Sequence, residues 1–347
     1  MAIASFQAIR VLAGAIAAFI VALGITPVAS KIIARFQMRK QIRSSDSAPI
    51  FAELHKAKAG TPTAGGIIIW GAVAILAACF SLMPLFNFID RSQTYLPIAA
   101  FFAAALIGLI DDFLGIMKVG PKGGGISVRQ KLAIYFAISL VGACWFYWRL
   151  GWTALGIPFF GNVDMGWWYI PFFMFVVIAS AFSVNETDGL DGLAGGVMLF
   201  SFSALTVIAF ALGRYHLATF NATIAGALLA FLWFNIYPAR FFMGDTGSMA
   251  LGITLGVTAM LTNTALFLPF FALIPIVETL SVIVQLTSKK LRGRKIFRST
   301  PIHHHFEAIG WPESQITMRF WIISAVASII GLVVFFLSFV FVKNGLF

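Results

Sequence analysis

The segment VNETDGLDGLAGG, residues 184–196, interrupts a strongly apolar part of the chain. It lies between one apolar run over 168–182 and a second over 197–212, and it carries an asparagine and three carboxylates within seven residues. Apolar runs of roughly 20 residues are long enough to cross a bilayer as helices. The segment is therefore predicted to be a polar connection between two membrane spans.

The same alternation extends along the whole chain. Of its 347 residues, 60% are hydrophobic and only 11% are charged, whereas about 25% are charged in an ordinary soluble domain. A membrane β-barrel would instead show alternating segments of about 10 residues. The sequence thus predicts an all-α polytopic membrane protein, with residues 1–347 forming one integral membrane domain. Ten transmembrane helices are predicted, near 9–29, 65–83, 95–110, 132–148, 167–184, 193–212, 221–237, 248–263, 266–287 and 320–341.

The basic residues predict the orientation of these spans. Nineteen of the 24 Lys and Arg residues fall on the same side of the predicted membrane, and the positive-inside rule makes that side cytoplasmic. Both termini are then expected outside, and the net charge of +11 is concentrated where it can attract anionic membrane lipids. Because no soluble basic domain is present, nucleic-acid binding is not expected.

Ten of the 13 carboxylates also fall on the predicted cytoplasmic side, near the ends of spans. Asp111 and Asp112 are adjacent, and both stay ionised only if a cation or strong donors are near. A solvated helix end is one interpretation, and a Mg²⁺ site completed by waters and substrate phosphates is the other. Asn185, Asp188 and Asp191 are three residues apart and would share one face if their segment were helical.

Two glycine-containing turns precede spans on this side and are candidates for binding an anion. In KAGTPTAGG, residues 58–66, Lys58 and the backbone could hold a phosphate, and a loop-to-helix cap is the alternative. In FFMGDTGSMALG, residues 241–252, Asp245 stands where a helix is predicted to start. The N–H groups of that start would form a ready anion site, although Asp is also a common N-cap.

Three consecutive histidines, His303 to His305, lie in PIHHHFEAIGWPE, residues 301–313. Neighbouring side chains on a helix point about 100° apart, so the three imidazoles cannot all bind one metal. Contact with phosphate or sugar oxygens is the expected role. A transporter would place polar groups on broken helices near the middle of the membrane, whereas Glu278 is the one carboxylate inside the predicted spans. The pattern favours chemistry at the membrane surface.

Together these segments resemble the polyprenyl-phosphate N-acetylhexosamine-1-phosphate transferase superfamily. The triple histidine with Trp-Pro-Glu downstream resembles its phospho-N-acetylmuramoyl-pentapeptide transferase branch. The matching stretches span nearly the whole chain and read HKAKAGTPTAGG, DDFLGIMK, GGISVRQKL, NETDGLDGLAGG, FNIYPARFFMGDTGSMALG and VETLSVIVQLTSKKLRGRKIFRSTPIHHHFEAIGWPESQITMRFWIIS.

The resemblance implies a reaction of peptidoglycan synthesis at the bacterial cytoplasmic (inner) membrane. Phospho-N-acetylmuramoyl-pentapeptide would pass from UDP-N-acetylmuramoyl-pentapeptide to undecaprenyl phosphate, giving lipid I and UMP, with Mg²⁺ as cofactor. One-step transfer and a covalent aspartyl intermediate both stay open, as does assembly into a homodimer. The alternative functions are a UDP-GlcNAc:polyprenyl-phosphate GlcNAc-1-phosphate transferase and a non-catalytic lipid carrier or flippase.

The resemblance also implies roles for individual residues. Asp111, Asp112 and Asp245 would be catalytic, and the last two would bind the metal. At two positions the sequence departs from the family pattern, because Gly115 replaces a lysine and Glu186 replaces a leucine. The implied substrate-binding residues are Lys58, Thr61, Lys131, Asn185, Asp188, Asp191, Asn235, His303, His304 and His305.

Overall fold

The computed structural model describes residues 2–36, 60–121 and 124–343, and these residues form a bundle of α-helices. A two-stranded antiparallel sheet, β1 (Ala154–Ile157) and β2 (Gly161–Asp164), lies between the fourth and fifth helices. The helices are α1 (Ala2–Arg35), α2 (Gly66–Ser81), α3 (Tyr95–Ile116), α4 (Val128–Cys144), α5 (Tyr169–Thr187), α6 (Leu193–Ala211), α7 (Tyr215–Asn235), α8 (Gly244–Leu261), α9 (Leu268–Phe271), α10 (Leu273–Arg292), α11 (Ile302–Ala308) and α12 (Glu313–Lys343).

The prediction of an all-α polytopic membrane protein is confirmed. Within the described residues, seven helices are long and apolar enough to cross a membrane, and an eighth span is present if a pair bent by 90° is counted as one. That pair is Ala265–Phe271 with Leu273–Arg292. Two further helices match predicted spans but fall outside this group: α2 has only 16 residues, and α8 begins with the polar residues Gly-Asp-Thr-Gly-Ser. The count of ten spans and the outward termini therefore stay predictions.

The small sheet is the main departure from an all-helical chain. Each of its strands has only four residues, too few for a two-residue hydrophobic period to stand out in the sequence. Contacts with the helices fix the hairpin in place. The Gly156 N–H donates to Asn263 Oδ1 at 2.8 Å, and the Phe159 N–H donates to Ser338 Oγ at 2.8 Å.

The direction of the helices brings the polar residues together. One face of the bundle holds the ends of five helices and the beginnings of five others. The helices that end there are α1, α3, α5, α7 and α10, and those that begin there are α2, α4, α6, α8 and α12. We call it the basic face, because Arg35, Lys131, Arg240 and the Lys289–Arg298 segment lie there. The hairpin and the connection between α2 and α3 lie at the opposite face.

Close packing of α3 against α8 sets the geometry of the basic face. A methyl group added at Gly108 would lie 2.3 Å from the backbone oxygen of Asp245, so the two helices approach backbone to backbone at this point. Glycine permits such an approach because it has no Cβ. The contact places the C-terminal part of α3, which carries Asp111 and Asp112, beside the first turn of α8.

Candidate active site

Lys131 stands at the centre of a charged cluster at the basic face. Its ammonium Nζ lies 2.6 Å from Asp111 Oδ2 and 2.9 Å from Asp245 Oδ1. The side chain of Asp111 is only 3% exposed, whereas that of Asp245 is 27% exposed and that of Lys131 is 18% exposed. One ammonium thus balances two carboxylates from different helices, and Asp245 remains accessible from solvent.

The start of α4 holds Lys131 and Asp111 in place. Ser127 and Gln130 form a capping box that fixes the first turn of this helix. Just before it, the Ile126 N–H donates to Asp111 Oδ1 at 2.5 Å. Gly125 has φ +86°, a conformation in which a side chain is strained, and a methyl group there would lie 2.8 Å from the same carboxylate oxygen. Both oxygens of Asp111 are therefore engaged, one by Lys131 and one by the backbone.

Asp112 has a different environment from its neighbour. Its carboxylate accepts hydrogen bonds from the N–H groups of Asp245 at 3.2 Å and Thr246 at 3.1 Å, in the first turn of α8. The Thr63 hydroxyl also donates to it, at 3.4 Å. A negative charge at a helix N-terminus is favourable, so Asp112 stabilises this end of α8. The prediction that this helix start is a free anion site is wrong, because a carboxylate of the chain itself caps it.

The KAGTPTAGG segment does not form the predicted phosphate loop in its described part. The N–H groups of Gly65 and Gly66 donate to the carbonyls of Phe242 and Met243, both at 2.8 Å, and the Phe242 N–H donates to the Pro62 carbonyl at 2.8 Å. These bonds join the segment to the one before α8. Thr61 lies half-buried just before them, while Lys58 falls outside the described residues.

The 184–196 segment is a break between helices, so its polar residues do not share one helical face. Helix α5 ends at Thr187, and α6 begins after Gly192, which has φ +75°. Asn185 Nδ2 donates to Asp245 Oδ1 at 2.5 Å and to Ser248 Oγ at 2.9 Å. Asp188 Oδ2 accepts from the Gly244 N–H at 3.1 Å. These two side chains still converge on the start of α8.

Asp191 and Asn235 connect the neighbouring turns. Asp191 Oδ2 accepts from the Ala239 N–H at 3.0 Å, and the Asp191 N–H donates to Glu313 Oε1 at 2.6 Å. Asn235 accepts from the Gly192 N–H at 3.1 Å and donates to the Phe241 carbonyl at 2.8 Å. In the structure these two predicted substrate-binding residues hold together the loops that surround the cluster.

The three histidines of α11 have three different partners. His303 Nδ1 lies 3.0 Å from Glu278 Oε2, and both side chains are 0% exposed. His304 Nδ1 lies 2.6 Å from Glu307 Oε2, and His305 Nδ1 accepts from the Arg298 N–H at 3.2 Å. Burial lowers the pKa of His303, but the Glu278 carboxylate raises it more, so its pKa lies above the ordinary value of 6.5.

Glu278 lies inside a predicted span, and its partner His303 was not predicted from the sequence. An ionisable side chain within a membrane span is a candidate site residue by default, and that signal could have singled it out. Thr63, Ser248 and Glu313 also contact site residues. All three lie in segments that the sequence singles out, but their partners could not be predicted, because each contact joins segments far apart in the chain.

Gly189 allows the 184–196 turn to pack on His303, which leads to a prediction. A methyl group at this position would lie 2.1 Å from Nε2 of His303, whose ring is fully buried. We therefore expect Gly189→Ala to lower the free energy of unfolding by about 1–3 kcal/mol, the usual range for overpacking. Thermal unfolding in detergent measures the change.

The matched control is Gly115→Ala. A methyl group there meets nothing within 4 Å, and alanine is the better helix former. Its unfolding midpoint should equal or exceed that of the unchanged protein. Equal midpoints for the two variants would contradict the close packing of Gly189 on His303.

Within residues 2–36, 60–121 and 124–343, no three His, Cys, Asp or Glu side chains are arranged to hold a metal ion. Mg²⁺ commonly needs only one or two protein carboxylates, with waters and substrate phosphates completing its shell. The pair formed by Asp112 and Asp245 is compatible with that smaller requirement, because the backbone N–H of Asp245 already brings the two residues into contact.

Comparison with known proteins gives a consistent result. Residues 94–263 match the family described as Glycosyl transferase family 4. The chain is 40% identical over 317 residues to a phospho-N-acetylmuramoyl-pentapeptide-transferase of Clostridium novyi, covering 90% of this chain and 93% of the relative. It is 38% identical over 320 residues to the enzyme of that name from Desulforamulus reducens, covering 90% and 92%. A relative of the same name from Moorella thermoacetica is 40% identical over 280 residues, covering 80% and 85%.

Proposed function

The chain belongs to the phospho-N-acetylmuramoyl-pentapeptide-transferase family, and from this premise we propose the reaction that it carries out. It transfers phospho-N-acetylmuramoyl-pentapeptide from UDP-N-acetylmuramoyl-pentapeptide to undecaprenyl phosphate in peptidoglycan synthesis. The products are lipid I and UMP. The observation that carries the proposal is the cluster of Lys131, Asp111 and Asp245 at the ends of apolar helices.

The position of the cluster suits two substrates of opposite character. The acceptor is a lipid whose phosphate lies at the depth of the membrane headgroups, and the donor is a soluble nucleotide. A site at the ends of membrane helices can be reached by both. In the proposal the basic face lies in the cytoplasm of a bacterium and the helices cross its inner membrane, in agreement with the positive-inside rule.

The proposed chemistry is a displacement at phosphorus. An oxygen of undecaprenyl phosphate attacks the β-phosphorus of the donor, the bond from that phosphorus to the bridging oxygen breaks, and UMP leaves with that oxygen. A phosphate monoester has its second pKa near ~6, so the attacking oxygen is already largely ionised at neutral pH. Catalysis then depends mainly on positioning two anions and balancing their charge.

The residues of the cluster can meet this requirement. Lys131 provides positive charge beside the partly exposed carboxylate of Asp245, and Asn185 fixes the orientation of that carboxylate. Asp111 is almost fully buried and holds Lys131 from the other side. In the proposal Lys131 binds a phosphoryl oxygen, while Asp245 faces the reacting groups and accepts a proton from the fraction of acceptor that is still protonated.

Mg²⁺ is the proposed cofactor. The Lys131 ammonium lies between two carboxylate oxygens, which supports the proposal that the site favours positive charge. One or two carboxylates suffice to hold Mg²⁺. Asp245 and Asp112 would hold it. When bound, it would neutralise negative charge on the donor diphosphate.

Helix α11, which carries the three histidines, is proposed to contact the phosphate or sugar of the donor. His305 is the least buried of its three imidazoles.

The proposal is tested by UMP release from a panel of donors. Purified protein is mixed with undecaprenyl phosphate, Mg²⁺ and either UDP-N-acetylmuramoyl-pentapeptide or UDP-GlcNAc, and a chelated sample serves as the control for the metal. We expect UMP only with the pentapeptide donor and only when Mg²⁺ is present. Release with UDP-GlcNAc alone would indicate a GlcNAc-1-phosphate transferase. No release with either donor would indicate a lipid carrier without chemistry.

A further inference from the structure

Tyr135 carries a buried hydroxyl that is unpaired within the described residues. The residue is in α4, one turn after Lys131, and only 1% of its surface is exposed. Its phenolic oxygen has no hydrogen-bond partner among those residues. A buried tyrosine usually finds a partner for its hydroxyl. An unpaired hydroxyl beside a charged cluster therefore indicates that something else completes its bonding.

The geometry of α4 directs this hydroxyl toward the cluster. Residues four apart lie on the same face of a helix, and helical side chains lean toward the N-terminus. The Tyr135 ring therefore extends back toward Lys131 and the basic face. The charges that act on its hydroxyl are those of Asp245, Lys131, Asp111 and Glu186, which come from four different helices.

The chemistry of the surroundings limits what the hydroxyl can bind. A tyrosine hydroxyl has one hydrogen to donate, and the natural acceptor is an anionic oxygen. Asp111 is already engaged by Lys131 and by the Ile126 N–H. Oδ1 of Asp245 is engaged by Lys131 and Asn185. A substrate oxygen that binds the Lys131 ammonium arrives on the same face of α4 as the Tyr135 hydroxyl.

We propose that Tyr135 is a substrate-binding residue whose hydroxyl donates a hydrogen bond to a phosphoryl oxygen held beside Lys131. This inference rests on the proposed function and adds a binding residue to it. The oxygen belongs either to the phosphate of the lipid acceptor or to the diphosphate of the nucleotide donor. Both present the same chemistry to the hydroxyl, so the experiment has one arm for each.

The test is Tyr135→Phe, which removes the hydroxyl and keeps the ring. The matched control is Tyr169→Phe, because Tyr169 is 0% exposed and its hydroxyl also lacks a partner among the described residues. Tyr169 begins α5 at the face opposite the cluster. For each full-length variant in detergent, kcat and KM are measured for donor and acceptor separately, and UDP binding is measured by calorimetry without the lipid.

We expect Tyr135→Phe to raise the KM for one substrate by roughly tenfold or more, the effect of losing a hydrogen bond to a charged group. Its unfolding midpoint should match that of Tyr169→Phe, which should keep both KM values. Weaker UDP binding would assign the contact to the donor diphosphate. Unchanged UDP binding with a higher acceptor KM would assign it to the lipid phosphate.

Three results would overturn the inference: unchanged KM values in Tyr135→Phe, an equal loss in Tyr169→Phe, or a much lower unfolding midpoint in Tyr135→Phe. The last would mean that the hydroxyl is paired inside the folded protein. If the unchanged protein releases no UMP, the proposed function fails on its own account. Binding of UDP and of undecaprenyl phosphate, compared between the two variants, then still decides the role of Tyr135: weaker binding of either ligand to Tyr135→Phe supports it, and equal binding of both overturns it.

Discussion

Asp245→Asn is expected to lower kcat/KM for UMP release by about a hundredfold or more while the protein stays folded, a loss comparable to removing one electrostatic group from an active site. The substitution removes the charge that lies 2.9 Å from the Lys131 ammonium. It also replaces a carboxylate by a neutral amide, which is a poor ligand for Mg²⁺. Lys131 keeps Asp111 as a partner, so the fold around the cluster should persist.

The measurement is kcat/KM at saturating Mg²⁺, accompanied by thermal unfolding. Asp164→Asn is the matched control, because it makes the same change in the exposed strand β2, at the face opposite the cluster. Activity of Asp245→Asn within about threefold of the unchanged protein would remove Asp245 from the proposed machinery.

Glu278→Gln is expected to destabilise the protein by about 3–5 kcal/mol, the usual cost of leaving one member of a buried ion pair without its partner. Glu278 and His303 are both 0% exposed, and their charged atoms lie 3.0 Å apart. The substitution leaves a buried imidazole without its carboxylate. It should also loosen the 184–196 turn, because Gly189 packs directly on the same ring.

The pH dependence of this loss is a second check. The folded pKa of His303 lies above 6.5, so the unfolded state loses its proton at a lower pH than the folded state does. The stabilisation by the pair is therefore complete below pH 6.5 and declines as the pH rises through the folded pKa. Thermal unfolding between about pH 5.5 and pH 9 should show the largest gap between Glu278→Gln and the unchanged protein at the acidic end. A gap that grows with pH would contradict a charged pair.

Much of the fold follows from local sequence patterns. Apolar runs predict the helices, and the polar break at 184–196 falls where α5 ends and α6 begins. These features are local, because bilayer thickness sets the length of a run and glycines end it. The hairpin β1–β2 is too short for its period to be visible, and it depends on contacts with Asn263 and Ser338.

The site shows where local patterns stop being informative. The sequence predicts that Asp111, Asp112 and Asp245 lie at one face, since each stands at the end of a predicted span. It does not reveal that Asp112 caps α8 while Asp111 pairs with Lys131. That division depends on the close approach of α3 and α8, which joins residues more than 130 positions apart.

The central claim is that the β-phosphate of the nucleotide donor passes to the lipid. To test it directly, the protein is incubated with Mg²⁺, undecaprenyl phosphate and UDP-N-acetylmuramoyl-pentapeptide that is labelled at the β-phosphorus. The account predicts that the label enters the organic phase in step with UMP, one labelled lipid for each UMP, and that Asp245→Asn lowers both by about a hundredfold or more. Label that stays in the aqueous phase while UMP appears would contradict the account, because the bond would then be broken without transfer to the lipid.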